Sequence, residues 1–151
     1  MFETTLTRAT ADERAAAGVW PGRILGTVLR EAAGATPGKL ALVDARRRLT
    51  YGELAELVDA AALGLLDAGV RPGDVVTVQL PNWAEFVVTA FAIERIGAVI
   101  NPVAPIFRHN ELRTMLRLAR PVAAVVASSI RGFAYPPMFA ELAATCPSLA
   151  R

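Results

Sequence analysis

The stretch VVTVQL, residues 75–80, decides the fold of this chain of 151 residues. It is short, rich in valine and almost wholly apolar. Strands of this composition are usually buried on both faces of a parallel sheet, because helices cover the sheet on each side. The stretch therefore predicts a strand of a parallel sheet in an α/β protein.

Downstream of this strand, helices and further strands alternate. A helix is predicted to begin at Asn82, with Asn82 as its N-cap and Glu85 at the third helical position. It is apolar nearly all round and ends at Gly97, a pattern typical of a helix that is packed on most of its sides. The later elements are a strand at 98–101, a helix over about 110–119, a strand at 122–128 and a helix over about 137–145.

Upstream of the strand, the clearest signal is a helix start at Thr50. Thr50 and Glu53 form a capping box, and Gly69 is placed to end that helix in a left-handed conformation. A helix at 24–33 and a β-hairpin, whose polar turn is Arg46–Arg48, precede it. Residues 1–23 are predicted to be an irregular arm, and residues 24–151 to be part of one α/β domain.

The alternation of strands and helices predicts right-handed βαβ units on a mostly parallel sheet. Ligands of such sheets bind beyond the carboxyl ends of the strands, where the loops after residues 80 and 101 emerge. These loops provide the candidate wall of a cleft: Asn82, Asn101, Pro102, Phe107 and Arg108. The alternative, that they are ordinary crossover loops stiffened by their prolines, stays open.

The composition excludes several classes of function. A formal net charge of +2 does not favour nucleic acid as a partner, and no apolar run is long enough to predict a membrane span. A single cysteine, Cys146, predicts neither a disulfide framework nor a zinc site. No secretory signal pattern is visible at the amino terminus, so we expect a cytoplasmic location.

Four other features are poor candidates for chemistry. Gly34–Lys39 is one residue short of a phosphate-binding loop and leads into a strand, so it is interpreted as a turn. His109 lacks a predicted partner and is expected to be a solvated loop residue. Cys146 lies at a helix end that would not activate a thiol. The Arg46–Arg48 run is expected only to keep a hairpin tip in water.

Several motifs occur together and in order: LTYGEL at 49–54, GVRPGDVVTVQLPNWAEF at 69–86 and ERIGAVINPVAPIFRHNELRTML at 94–116. With them, the chain resembles the amino-terminal part of the adenylate-forming (AMP-binding) acyl-CoA synthetases. The variant IFRHNEL and the later segment Arg131–Met138 look most like the branch of cyclohexanecarboxylate-CoA and fatty-acyl-CoA ligases.

The resemblance implies a fold and an activity for the complete enzyme. Such an enzyme uses ATP and Mg²⁺ to convert a fatty or alicyclic acid into an acyl-adenylate, and then transfers the acyl group to CoA. The family's phosphate loop and adenylation lysine have no counterpart here, so this chain is predicted to contain no catalytic, cofactor-binding or metal-binding residue and to be inactive alone. Its expected partners are the remainder of a ligase or a second copy, bound through exposed apolar surface. The alternative is a stand-alone α/β binding or interaction module.

Overall fold

A three-stranded parallel sheet lies at the centre of the fold, in a computed structural model that describes residues 6–20 and 22–149. Parts of the predicted arm and the carboxyl-terminal residues 150–151 lie outside the described residues. In chain order the elements are α1 (Arg8–Ala16), α2 (Leu25–Ala35), β1 (Leu40–Val43), β2 (Arg48–Thr50), α3 (Tyr51–Asp67), β3 (Val75–Gln79), α4 (Ala84–Arg95), β4 (Val99–Pro102), α5 (His109–Ala119), β5 (Ala123–Val126), β6 (Ser129–Ile130), β7 (Phe133–Ala134) and α6 (Tyr135–Ala143).

Strand β3 is the middle strand of the parallel sheet, whose order is β4-β3-β5. All five of its residues are buried, as its composition predicts. Thr77 is paired in register with Asn101 of β4 on one side and with Ala124 of β5 on the other. The α/β class and the parallel pairing predicted from the sequence are therefore confirmed.

The two crossover helices lie on opposite faces of the sheet. The chain passes from β3 to β4 on one side and then returns past β3 to reach β5 on the other. Because parallel crossovers are right-handed, this reversal of direction places α4 on one face and α5 on the other. Helix α6 packs against α5 and β5 and completes the second layer.

Helix α4 is shared by two apolar clusters. Ile93 belongs to the cluster around the sheet, which also contains Val76 and Val78 of β3 and Leu112 of α5. Ala84 belongs to a smaller cluster formed by α2, the β1–β2 hairpin and α3. The nearly continuous apolar surface of α4 is explained by these two contacts, because each buries a different side of the helix.

The capping box at Thr50 is formed as predicted. The Glu53 amide donates to Thr50 Oγ1, and the Thr50 amide donates to Glu53 Oε2 at 2.8 Å. The hydrogen bond from the Thr50 amide lowers the pKa of Glu53 from its usual value. Gly69 follows α3 with a φ of 84°, the left-handed conformation expected at a helix end.

Two elements were not predicted. The expected irregular arm contains helix α1, although none of its residues is buried. A second hairpin, β6–β7, lies between β5 and α6. Among the described residues, no helix is both long and apolar enough to cross a membrane.

The predicted N-cap of α4 is wrong. The N-cap is Trp83, one residue later than expected, and Asn82 is exposed and makes no capping hydrogen bond. The cap comes from the distant β1–β2 hairpin, where Asp44 Oδ2 accepts from the Ala84 amide at 2.8 Å. A carboxylate is the better cap, because it also interacts favourably with the positive end of the helix dipole.

The tip of the β1–β2 hairpin is held against the start of α4. Arg46 Nη2 lies 2.6 Å from Glu85 Oε2, and its guanidinium stacks over the Trp83 ring at 4.3 Å. Arg47 forms a longer ion pair with Glu85 at 3.6 Å. Two of the three arginines of the 46–48 run therefore have partners in α4 or next to it, rather than serving only to solvate the turn.

Replacing Asp44 by Asn should lower the thermal unfolding temperature at pH 7, because the Ala84 amide loses its charged acceptor. The pKa of Asp44 is lowered by the Ala84 amide and then by the Arg46 amide, so its contribution is present at neutral pH. That contribution is lost as the pH falls below ~4, where the carboxylate becomes protonated. The difference between parent and variant should shrink accordingly.

Asn82→Ala is the matched control and should change the free energy of unfolding by less than about 0.5 kcal/mol. Melts in which Asn82→Ala is the more damaging change would contradict the assignment of Asp44 as the cap.

Candidate functional site

A cleft lies where the strand order reverses, at the carboxyl ends of the parallel strands. It encloses about 380 Å³ and receives residues from three loops. Pro81 follows β3, and Arg108 ends the loop after β4; Phe133 and Tyr135 come from the segment after β5. In open α/β sheets this position forms a crevice, because successive loops turn towards opposite faces. We call it the carboxyl-end cleft; Pro105, Ile106, Ile130 and Arg131 complete its lining.

The loop after β4 is fastened to the end of β3. Gln79 is fully buried, and its Nε2 donates to the carbonyl oxygens of Ala104 at 2.9 Å and Phe107 at 3.1 Å. The Val103 amide continues the sheet by donating to the Val78 carbonyl. Gln79 Oε1 is buried without a partner among the described residues. The free-energy cost of burying this side-chain amide is therefore offset only by the two hydrogen bonds that Nε2 donates.

The other side of the same loop is held by the segment after β5. Tyr135 is 1% exposed, and its hydroxyl donates to the Pro105 carbonyl at 2.7 Å. Its ring meets the Phe133 ring edge-on, with the centroids 5.1 Å apart. Both walls of the cleft are therefore positioned by buried side chains rather than by free loops.

Arg108 is one of two arginines that line the carboxyl-end cleft, the other being Arg131. Its guanidinium lies 4.1 Å from the Phe133 ring centroid, and Nη1 donates to the carbonyls of Pro105 and Phe107. The Arg108 amide donates to Glu111, which lowers the pKa of that carboxyl group. These contacts fix the guanidinium in place and leave Nη2 and Nε without a partner among the described residues.

The β6–β7 hairpin supplies three residues of the cleft and was missed in the sequence. Arg131 and Gly132 form its two-residue turn, and both have positive φ angles, 49° and 79°. Paired positive φ angles give the turn that matches the twist of a hairpin, and they usually require Asn-Gly or Asp-Gly. In the sequence, Gly132 is the residue that indicates this turn. Arginine is unusual at the first position of such a turn, so the hairpin is hard to recognise from the sequence.

The five candidate wall residues do not lie together. Arg108 lines the carboxyl-end cleft, and Phe107 lies beside it and contributes a carbonyl to the bonds just described. Asn101 lies within the sheet, where its Nδ2 donates to Thr77 Oγ1 at 3.0 Å. Asn82 and Pro102 are exposed. The structure assigns no ligand to any of the five, so their role in a substrate site stays a prediction.

Two of the poor candidates have clear structural roles. His109 is not a loop residue without a partner, because it begins α5 and its Nε2 lies 2.8 Å from Glu141 Oε2 of α6. Cys146 is buried, with Sγ 3.8 Å from the Leu116 carbonyl oxygen and 3.4 Å from Ser148 Oγ. The histidine links two helices, and the thiol is packed away from the cleft lining.

The described residues do not fit the triphosphate of ATP or a bound Mg²⁺ ion. Gly34 and Ala35 end α2, and the predicted turn covers only the residues from Thr36 to Lys39, where the Lys39 amide donates to the Thr36 carbonyl. Within residues 6–20 and 22–149, no group of three or more His, Cys, Asp or Glu side chains is placed to hold a metal ion.

An apolar surface lies between the start of α2, helix α4 and the edge strand β4. It surrounds a hollow of about 480 Å³, and one charged side chain, Glu94, borders it. Glu94 is itself engaged, because its Oε2 accepts from the Gly26 amide at 3.1 Å. We call this surface the α2–α4–β4 face; its apolar residues include Leu25, Phe86, Ala90, Phe91, Val99 and Ile100.

Comparison with known families gives one match over most of the chain. Residues 29–149 match the family described as AMP-binding enzyme. The matched residues begin in α2 and include every strand described above.

Individual relatives are similar over nearly the whole chain. A salicyl-AMP ligase / salicyl-S-ArCP synthetase of Mycobacterium tuberculosis is 42% identical over 139 residues, which is 89% of this chain and 25% of that protein. A 2-hydroxy-7-methoxy-5-methyl-1-naphthoate–CoA ligase of Streptomyces carzinostaticus is 42% identical over 134 residues, 89% of this chain and 24% of that protein. The chain therefore spans about a quarter of the length of these relatives.

A solved structure gives the same result for the fold. The apo structure of Mycobacterium smegmatis MbtA superimposes with a TM-score of 0.86 at 39% identity. The superposition covers 98% of this chain and 27% of that one. The architecture described above is thus the architecture of the corresponding part of a known protein.

Replacing Gln79 by Leu should destabilise the chain by about 2 kcal/mol, because two hydrogen bonds to the loop after β4 are lost. Tyr135→Phe removes only one bond, to a carbonyl that Arg108 also reaches, and should cost about 1 kcal/mol or less. Chemical denaturation of both variants measures these values, and limited proteolysis reports on the loop. An unchanged melt for Gln79→Leu would show that Gln79 does not hold the loop.

Proposed function

The chain belongs to the AMP-binding enzyme family, and from this membership we propose that it forms part of an enzyme that joins AMP to an aromatic carboxylic acid. The observation that supports the aromatic class is the 42% identity to a salicyl-AMP ligase over nine-tenths of this chain. A second relative of equal identity is named for a naphthoate, which is also an aromatic acid.

The branch suggested by the sequence motifs, cyclohexanecarboxylate-CoA or fatty-acyl-CoA ligases, is not the branch that these relatives favour. The motif IFRHNEL forms the end of the loop after β4 and the start of α5, and Arg131–Met138 forms the turn and second strand of the β6–β7 hairpin and the start of α6. Those segments are held by contacts internal to this chain, such as the Tyr135–Pro105 hydrogen bond. Their sequence therefore reports on how the cleft wall is built rather than on which acid is used.

We assign this chain a supporting role in such an enzyme. Its buried side chains fix the carboxyl-end cleft, and Arg108 adds a positive charge with two unused donors to the cleft wall. ATP, Mg²⁺ and an acyl acceptor such as CoA would be bound with residues that have no counterpart among those described. We therefore expect the chain alone to form no adenylate.

The alternative of a stand-alone binding module has no comparable support. The two relatives just named are both described as ligases or synthetases, and the match to each extends over 89% of this chain.

The α2–α4–β4 face is where we expect further protein to pack. Its centre is apolar, Leu25 is 68% exposed, and β4 is an edge strand with one unpaired side. Apolar surface beside an unpaired strand edge promotes association in solution. The partner would be the remainder of a ligase, or a second copy when this chain is isolated.

A chimera tests the enzyme proposal directly. This chain would replace the matching first quarter of the Mycobacterium tuberculosis salicyl-AMP ligase, and salicylate-dependent exchange of labelled pyrophosphate into ATP would be measured. We expect exchange within about tenfold of the parent enzyme, because the internal contacts of the cleft wall are carried by the graft. The chain alone should show no exchange with any acid.

The control is the same graft in a long-chain fatty-acyl-CoA ligase, which should fold poorly or lose its activity. A folded but inactive salicylate chimera, together with an active fatty-acyl chimera, would contradict the aromatic assignment.

Self-association of the isolated chain is the second expectation. Sedimentation velocity at low micromolar concentration should show dimers or larger species, and Leu25→Glu should shift the population towards monomer. Leu118→Glu is the control, because Leu118 is 72% exposed but lies on α5, outside the α2–α4–β4 face. A sharp monomer peak for the parent chain would contradict this role of the face.

A further inference from the structure

Three arginines on α5 and at its end form a stripe along the exposed side of that helix. Arg113, Arg117 and Arg120 are all exposed. The spacing of four residues places Arg113 and Arg117 on the same side of α5, one turn apart, and Arg120 follows at the C-cap of the helix. At 1.5 Å per residue the stripe is about 10 Å long. We call these three residues the α5 arginine stripe.

The arginines of this stripe have no partner in the part of the chain that the structure describes. None of the three guanidinium groups makes an ion pair, hydrogen bond or ring contact with a described residue. By contrast, four arginines elsewhere are paired with carboxylates: Arg23, Arg46, Arg47 and Arg95. The stripe is therefore a local concentration of uncompensated positive charge on a chain whose net charge is only +2.

The carboxylates of α5 and of the neighbouring helix α6 have other partners. Glu111 lies nearly opposite Arg113 around the helix and accepts from the Arg108 amide. Glu141, the acidic residue of α6, is paired with His109. Neither carboxylate forms an ion pair with an arginine of the stripe, so the three guanidinium groups remain open to a charged partner.

The helix dipole explains only part of this arrangement. Cations in the last turn of a helix are stabilising, which accounts for Arg117 and for Arg120 at the C-cap. Arg113 lies in the middle of α5, where the dipole gives no such advantage. Arg120 also has a positive φ of 50°, a conformation that is strained for arginine.

We propose that the α5 arginine stripe is a docking surface for an acidic protein, and specifically for a helix that carries carboxylates about one turn apart. The argument is charge complementarity. Guanidinium groups bind carboxylates through paired hydrogen bonds, and a row of three at one-turn spacing matches acidic residues on a facing helix. Three charges are too few to neutralise a nucleic-acid backbone effectively. Among the described residues of α5, Leu118 is the large apolar side chain left exposed, and one such side chain is fewer than a membrane-binding helix inserts.

The position of the stripe gives such docking a consequence. Helix α5 begins directly after Arg108, a wall residue of the carboxyl-end cleft. A protein held along α5 would therefore lie beside that cleft. The proposal concerns a different surface from the α2–α4–β4 face and does not depend on which acid the family member uses.

The test uses the intact chain and a labelled synthetic helical peptide of alanine and glutamate, with glutamates at one-turn spacing. Fluorescence anisotropy at low salt should show binding that weakens as sodium chloride is raised. The variant R113Q/R117Q/R120Q should bind about tenfold more weakly, since three ion pairs are lost. The matched control R8Q/R30Q/R48Q removes the same charge from exposed arginines that lie outside the stripe.

Two results support the proposal together: loss of binding in the stripe variant and binding within about twofold of the parent in the control, where no stripe contact is lost. Circular dichroism of both variants should show the same fold as the parent chain, because only then does weaker binding report on the arginines themselves. Equal weakening in both variants, absence of binding at low salt, or tighter binding to duplex DNA or to phosphatidylglycerol vesicles than to the peptide would overturn it.

Discussion

The complete burial of β3 is the constraint on which the rest of the structure depends. A strand with no exposed residue needs neighbours at both edges and helices on both faces. The chain meets these needs in sequence order, with β4 on one edge, β5 on the other, and right-handed crossovers that place α4 and α5 on opposite faces. The reversal of direction this requires also creates the crevice beyond the carboxyl ends of the strands. Fold and cleft therefore have a common origin.

Features that depend on neighbouring residues were predictable from the sequence, whereas features that depend on distant residues were not. The capping box of α3 joins Thr50 and Glu53, which are close in sequence, and its pattern is specific. The cap of α4 joins Asp44 and Ala84, which are 40 residues apart, so Asn82 was chosen because it is nearby and of a suitable type. The topology rule located the cleft, but the β6–β7 hairpin depends on positive φ angles at Arg131 and Gly132 that the sequence signals only weakly.

The loop after β4 is held in place by contacts within this chain. Gln79 and Tyr135 fix the loop after β4 from two sides, so the position of Arg108 is set before any ligand arrives. A prearranged wall of this kind reduces the cost of organising a site when a substrate binds. The chain matches the AMP-binding enzyme family over residues 29–149 and spans about a quarter of its relatives, which agrees with a role as the structural base of a larger active site. The α5 arginine stripe would extend that role to the recognition of a partner beside the cleft.

Strand β3 and the loop after β4 are joined by hydrogen bonds from Gln79 and Val103 and should behave as one structural unit. Native-state amide hydrogen exchange tests it most directly, because the Val103 amide bonds to the Val78 carbonyl and reports on the attachment of the loop. We predict that the amides of β3 and of Val103 exchange together, in the slowest class and only on global unfolding, while those of α1, none of whose residues is buried, exchange fast. Rapid exchange at Val103 with slow exchange in β3 would show that the loop moves independently of the strand and would contradict the account.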